Sequence, residues 1–173
     1  MEQYFPIGIQ RGGEFDVARG LFPLKSSDQA KFADKILRGE ISAVEAYDQV
    51  IEKFITDPEA PISLLAQIRS EHQRSCESLK LLVSKKGEDP SEDSGAWGSV
   101  VSALLNVRSL LGQDQALRTL RTGEDHGLRM YQDALDLGLS ERERATIRDI
   151  LIPRQVRHIA QLDSLIDSDM KYS

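Results

Sequence analysis

Gly39-Glu40-Ile41-Ser42-Ala43-Val44-Glu45-Ala46-Tyr47 returns later in the chain as Gly123-Glu124-Asp125-His126-Gly127-Leu128-Arg129-Met130-Tyr131. Each stretch sets a Tyr seven residues after a Glu, and each is followed by a helical run with one inward His and a Leu seven positions on. These pairs are His72 with Leu79 and His158 with Leu165. Residues seven apart lie on one helix face. The pattern therefore reads as an internal duplication of a helical hairpin, each copy placing a Glu and a His where a bundle core ordinarily holds Leu.

Outward from this repeat, apolar residues recur at three and four. Ser27 or Asp28 can cap a first helix carrying Phe32, Ile36, Ala43, Val44, Tyr47, Val50, Ile51 and Phe54, which Asp57-Pro58 ends. Pro61 suits the first turn of a second helix. Its stripe is Leu65, Ile68, His72, Cys76 or Ser75, Leu79 and Leu82 or Val83, with Gly87 as the stop. Trp97 to Leu111 predicts a short crossover helix. Asp114 can cap the next long helix, with Leu117, Leu120, Glu124, Leu128, Tyr131 and Leu135 on one face and Gly138 closing it. Ser140 and Glu143 form a capping box for the last helix, through Ile147, Leu151, His158, Leu162 and Leu165, and Pro153 predicts a kink within it. The loops at 57–61 and 138–140 suit only antiparallel neighbours, whereas Gly87 to Asp114 can cross the bundle end to end. The expected fold is all-α: a ferritin-like antiparallel four-helix bundle over residues 26–173, with one long crossover containing a short helix.

Composition narrows the function classes. The 173 residues carry 28 acids against 22 Lys and Arg, a net charge of -6, with the signs interleaved. A nucleic-acid partner would call for a basic stripe, so none is expected. A lone cysteine, Cys76, forms no intrachain disulfide, and no apolar run of membrane-spanning length is present. A cytoplasmic location and no membrane partner are the expectations. Residues 1–25 hold Tyr4, Phe5, Phe15 and Phe22 without sustained periodicity. They read as a flexible N-terminal arm that could pack on a second copy, giving a homodimer, or on another protein.

The runs Gly123-Glu124-Asp125-His126-Gly127, Tyr131-Gln132-Asp133-Ala134-Leu135 and Leu151-Ile152-Pro153-Arg154-Gln155, with His158-Ile159, resemble a bacterial ferritin-like family catalogued as a domain of unknown function. Ser70-Glu71-His72, Gly87-Glu88-Asp89-Pro90 and Ala96-Trp97-Gly98 carry the same likeness, which spans roughly residues 28 to 168. Di-iron members of the wider superfamily take one Glu from each of two helices and Glu-x-x-His from each of the other two. That resemblance implies Glu40 and Glu124 at the single-Glu positions and His72 and His158 at the His positions. The bridging-Glu positions depart from it, holding Arg69 and Gln155.

Two metals bring a charge of about four or more, which needs roughly as many carboxylates in a low-dielectric core. With two left and Arg69 adding repulsion, the expectation is a metal-free polar layer. In it Arg69 neutralises Glu40 and Glu124, and His72, His158, Tyr47, Tyr131 and Gln155 complete the hydrogen bonding. The function so implied is non-catalytic: an interaction or stress-associated bundle with a vestigial metal layer and no cofactor. The alternative is an oxidoreductase with a mononuclear or reduced di-metal site of iron, manganese or zinc on Glu40, His72, Glu124 and His158. Glu71 could supply a ligand only if the second helix rotates from this register. Glu45 and His126 read as flanking surface residues, and Cys76 as inert packing. Phosphate loops, hydrolase triads and Cys-x-x-Cys pairs are absent from the sequence.

Overall fold

The computed structural model describes residues 25–95 and 112–172. Among these the chain forms an all-α four-helix bundle without strands. Helix α1 spans Ser26–Phe54, α2 spans Ile62–Lys85 and α3 spans Gln113–Ala134. The fourth helical segment has three parts: α4 (Glu141–Thr146), a π-helical turn (Ile147–Leu151) and α5 (Ile152–Tyr172). Residues 1–24 of the expected arm and the expected crossover helix at 97–111 lie outside the described residues.

Local sequence accounts for the boundaries. Pro61 sits immediately before α2, where a missing N–H costs nothing. Gly87 and Gly138 adopt positive φ values of 84° and 68°, which turn the chain away after α2 and α3. At Ser140 the side chain accepts from the Glu143 N–H while the Glu143 carboxylate accepts from the Ser140 N–H, the reciprocal box that opens α4. The irregularity expected at Pro153 takes the form of the π turn just before it. A proline at 153 cannot donate to the preceding turn, and one extra residue is absorbed there, with the Ile152 N–H bonding back to the Ile147 carbonyl.

The hydrogen bonds fix the directions. Tyr47 meets Glu124 and Tyr131 meets Glu40, so α1 and α3 run antiparallel. Arg121 meets Asp163 and Glu124 meets Gln155, so α3 and α5 do too. Helices α2 and α3 are therefore parallel, and the connection between them starts at one end of the bundle and finishes at the other. Its first residues lie along α1, with Ser91 bonded to Asp34 and Ser94 to Glu45. Pairing is closest between α1 and α2 and between α3 and α5, and α1 also lies along α3. Helices α2 and α5 approach mainly through long side chains.

Among the described residues, two apolar clusters fill the interior. One, around Leu37, Leu79, Tyr131, Leu137 and Ile147, occupies the end where α1 begins. The other, around Tyr47, Ile68, Leu117 and Leu162, occupies the opposite end. Each fully buried Leu or Ile contributes roughly 2 kcal/mol by leaving water. Between the clusters lie Glu40, His72, Glu124, Gln155 and His158, all at most 4 % exposed. A polar layer thus sits sealed between two hydrocarbon blocks.

Candidate functional site: a buried carboxylate and imidazole layer

Each layer residue arrives on its own element: Glu40 on α1, His72 on α2, Glu124 on α3, and Gln155 with His158 on α5. His72 is held on both sides, Nδ1 at 2.9 Å from Glu40 and Nε2 at 2.9 Å from Glu124. An imidazole donates from both nitrogens only when protonated. Burial alone would push the His72 ring down in pKa, but the charges of Glu124 and Glu40 outweigh it and raise the group to about 10. Burial would likewise raise Glu124, yet His72 and His158 bring it down to about 2.

The hydroxyls of two tyrosines close the network. Tyr47 donates to Glu124 at 2.6 Å and Tyr131 to Glu40 at 2.8 Å, each phenol reaching the carboxylate of the opposite half of the chain. Burial, then the neighbouring carboxylate, pushes both phenols well above their ordinary pKa. The Gln155 amide donates to both the carboxylate and the backbone carbonyl of Glu124. Gly127 permits this approach, because a Cβ there would stand 2.8 Å from Gln155 Nε2.

Arg69 does not join the layer. Its guanidinium makes a bidentate pair with Asp48, both bonds at 2.9 Å, and the side chain is 35 % exposed. The register of α2 turns Arg69 to the surface and brings Glu71, on the other flank of His72, inward to 8 % exposure. Position 71 adjoins 72 in the chain, so the two side chains diverge by about 100°. Glu71 therefore meets the layer from the α5 side. His158 Nε2 lies 3.1 Å from Glu71, and the other ring nitrogen, Nδ1, lies 3.3 Å from Glu124. Arg157 donates to Glu71 at 2.5 Å, and Arg154 donates to the Glu71 carbonyl and to Ser75. Burial favours the neutral form of Glu71, but His158, Arg157 and Gln67 bring it down to about 2. The cations that balance the carboxylates are thus His72 itself, with Arg154 and Arg157 at the α2–α5 seam.

The flanking candidates fall outside this network. Glu45 accepts from Ser94 at 2.6 Å, and His126 is partly buried, its pKa lowered by burial and by Arg129. Cys76 is buried next to the layer, and burial with the Glu40 charge pushes its thiol up to about 12.

Neither expected bridging position offers a carboxylate to a di-metal centre. Position 69 points to solvent, and position 155 presents an amide that donates to Glu124 and so carries no charge to bridge two cations. A single divalent ion is a different matter. One ligand atom each from His72, Glu124 and His158 lies within 4.8 Å of the others. Glu40 and Glu71 back the remaining nitrogens of the two rings, the outer support that metal-binding imidazoles commonly have.

The model of the family described as Domain of unknown function (DUF2383) matches residues 34–137. The chain belongs to that family. The DUF2383 match takes in Glu40, Glu71, His72 and Glu124 and stops before Gln155 and His158. No curated protein and no solved structure matches the chain. Among the described residues, no helix of this DUF2383 member is long and apolar enough to cross a membrane.

Proposed function

We propose that this protein is a ferritin-like bundle built by duplication, acting without catalysis as an interaction scaffold, and that its central layer holds protons where metal-containing relatives hold ions. The observation that carries this reading is the position of His72 between Glu40 and Glu124, which supplies a buried positive charge to two carboxylates. None of the fully buried side-chain oxygens and nitrogens of the layer is among those lacking a hydrogen-bond partner. Such a satisfied layer specifies how four helices meet, a role that buried polar groups fill in other helical assemblies.

A second reading has its own support, in the three ligand atoms gathered by His72, Glu124 and His158. In it one divalent ion, of zinc, iron or manganese, would rest on those residues and supply Lewis-acid or redox chemistry. The protein's own part would be to present His72 through Nε2 and His158 through Nδ1, with Glu40 and Glu71 fixing the rings. Metal analysis of protein purified without chelator separates the two readings. The scaffold reading expects well under one equivalent in the wild type and no change in His72→Ala or Glu124→Ala. Near-stoichiometric metal in the wild type, lost in both variants, overturns it.

A further inference from the structure

At the end of the bundle where α1 begins, α2 and the segment from α4 through the π turn leave between them a groove of about 200 Å³. Leu79, Leu82, Ile147 and Leu151 give it an apolar floor, and Leu81 stands at its edge, 61 % exposed. Two cations, Lys85 and Arg142, line it as well. Among the described residues its one lining acid, Glu143, is engaged by Lys86 and by the Ser140 cap. An apolar void of about 150 Å³ takes up a benzene ring, so this groove suits one phenyl side chain.

We infer that the groove seats residues 14–22 of the same chain, with the Phe15 ring on the apolar floor and Glu14 and Asp16 beside Lys85 and Arg142. The occupant follows from where the chain leaves the described bundle. Gln29, in the first turns of α1, donates to the carbonyls of Leu137 and Gly138 and accepts from Lys86. Lys86 also pairs with Glu143, which lines the groove, so the segment preceding Lys25 enters at the groove's own end. Phe15 lies ten residues before Lys25, a reach of up to about 33 Å. From Lys86 to Leu81 and Leu82 is only about 7 Å of helix rise.

The other stretch outside the described residues departs on a different face. Ser91 and Ser94 lead along α1, past Asp34 and Glu45, and the chain returns at Gly112 at the opposite pole. The sequence Glu14-Phe15-Asp16 is also complementary in kind, an aromatic flanked by two acids facing an apolar floor flanked by two cations. The inference does not depend on what fills the central layer.

Disulfide trapping in the full chain tests it, pairing Val17→Cys with Ser78→Cys, an exposed position that lines the groove. The native thiol, Cys76, is buried and raised to about 12, so it stays out of the exchange. In a glutathione buffer the pair should close within one molecule at least about tenfold faster than Val17→Cys with Asp136→Cys, an exposed position at the same end of the bundle outside the groove, because seating raises the effective concentration. Adding Phe15→Ser should abolish that advantage. Bonds formed only between molecules would assign the groove to a second copy. Equal rates at Ser78 and Asp136, or an advantage that survives Phe15→Ser, would leave the groove to another occupant. Either result overturns the inference.

Discussion

Tyr131 and Glu40 are 91 residues apart in the chain and 2.8 Å apart in the bundle. Tyr47 and Glu124 make the reciprocal bond, so each half of the chain supplies the phenol that the other half's carboxylate accepts from. Tyr131→Phe and Tyr47→Phe should each destabilise the fold by about 1–3 kcal/mol, the cost of leaving a charged acceptor one donor short. Denaturant titration of both single variants and the double variant checks this. The layer is one network, so the double variant should depart from additivity by about 0.5 kcal/mol or more.

The assignment of His72 as the balancing cation predicts a sharp contrast with Arg69. His72→Leu leaves Glu40 and Glu124 buried without their shared donor and should cost about 3–5 kcal/mol. Arg69→Ala removes only a partly exposed pair with Asp48 and should change stability by less than about 1 kcal/mol. Urea unfolding of the two variants side by side measures the difference, and equal costs would return Arg69 to the interior.

Stability should fall on both sides of a window in mildly acidic solution. The Glu124 carboxyl drops from its ordinary 4.5 to about 2 on folding, so its contribution is complete above about 4.5 and is lost as pH falls toward 2. Glu71 behaves the same way. The His72 imidazole rises from 6.5 to about 10, so its contribution is complete below about 6.5 and is lost as pH climbs toward 10. Melting temperatures between these limits should trace a plateau with two falling limbs. His72→Gln should flatten the alkaline limb and shrink the Glu124 share of the acid limb, which His72 sustains, while the Glu71 share stays in place.

Gln155→Glu restores a carboxylate three residues before His158 and sets it against Glu124 Oε2, where the amide now donates. Without metal the variant should lose a few kcal/mol, roughly the cost of a second buried charge beside the first. Added zinc or ferrous ion should recover most of that loss in thermal melts, whereas the wild type should gain little. A variant as stable as the wild type in chelator would show the position to be better solvated than its 3 % exposure implies.

Much of the fold was legible because periodicity and punctuation agree along the chain. The stripe Leu65, Ile68, His72, Leu79 and Val83 is buried as its spacing indicates, and Gly87, Gly138 and the Ser140–Glu143 box stop and start helices where their chemistry suggests. Pro153 signalled an irregularity but not its form, since a kink and a π turn both relieve the same missing donor.

The site was legible for Glu40, His72, Glu124, His158, Gln155 and the two tyrosines, which share faces with the apolar stripes. It failed at residues 69 and 71. Both flank the inward face of α2, at minus three and minus one from His72, and helix geometry alone permits either to turn in. Their partners on neighbouring helices decided it. Asp48 on α1 draws Arg69 outward, while Arg154 and Arg157 on α5 hold Glu71 at the layer. Pairings between distant segments leave no periodic trace in a sequence. The signal that could have pointed to Glu71 is Arg154 and Arg157 bracketing the turn before His158.

The seam between α2 and α5 is closed by guanidinium, carboxylate and imidazole, whereas on the opposite side α1 lies close along α3, joined to it by the two phenol–carboxylate bonds. The bundle is thus built like a hinged book, with α1 and α3 as its spine and an ionic clasp on its fore-edge. Salt or a competing anion should loosen that clasp long before heat parts the spine, giving small solutes a way in to the sealed middle of the protein.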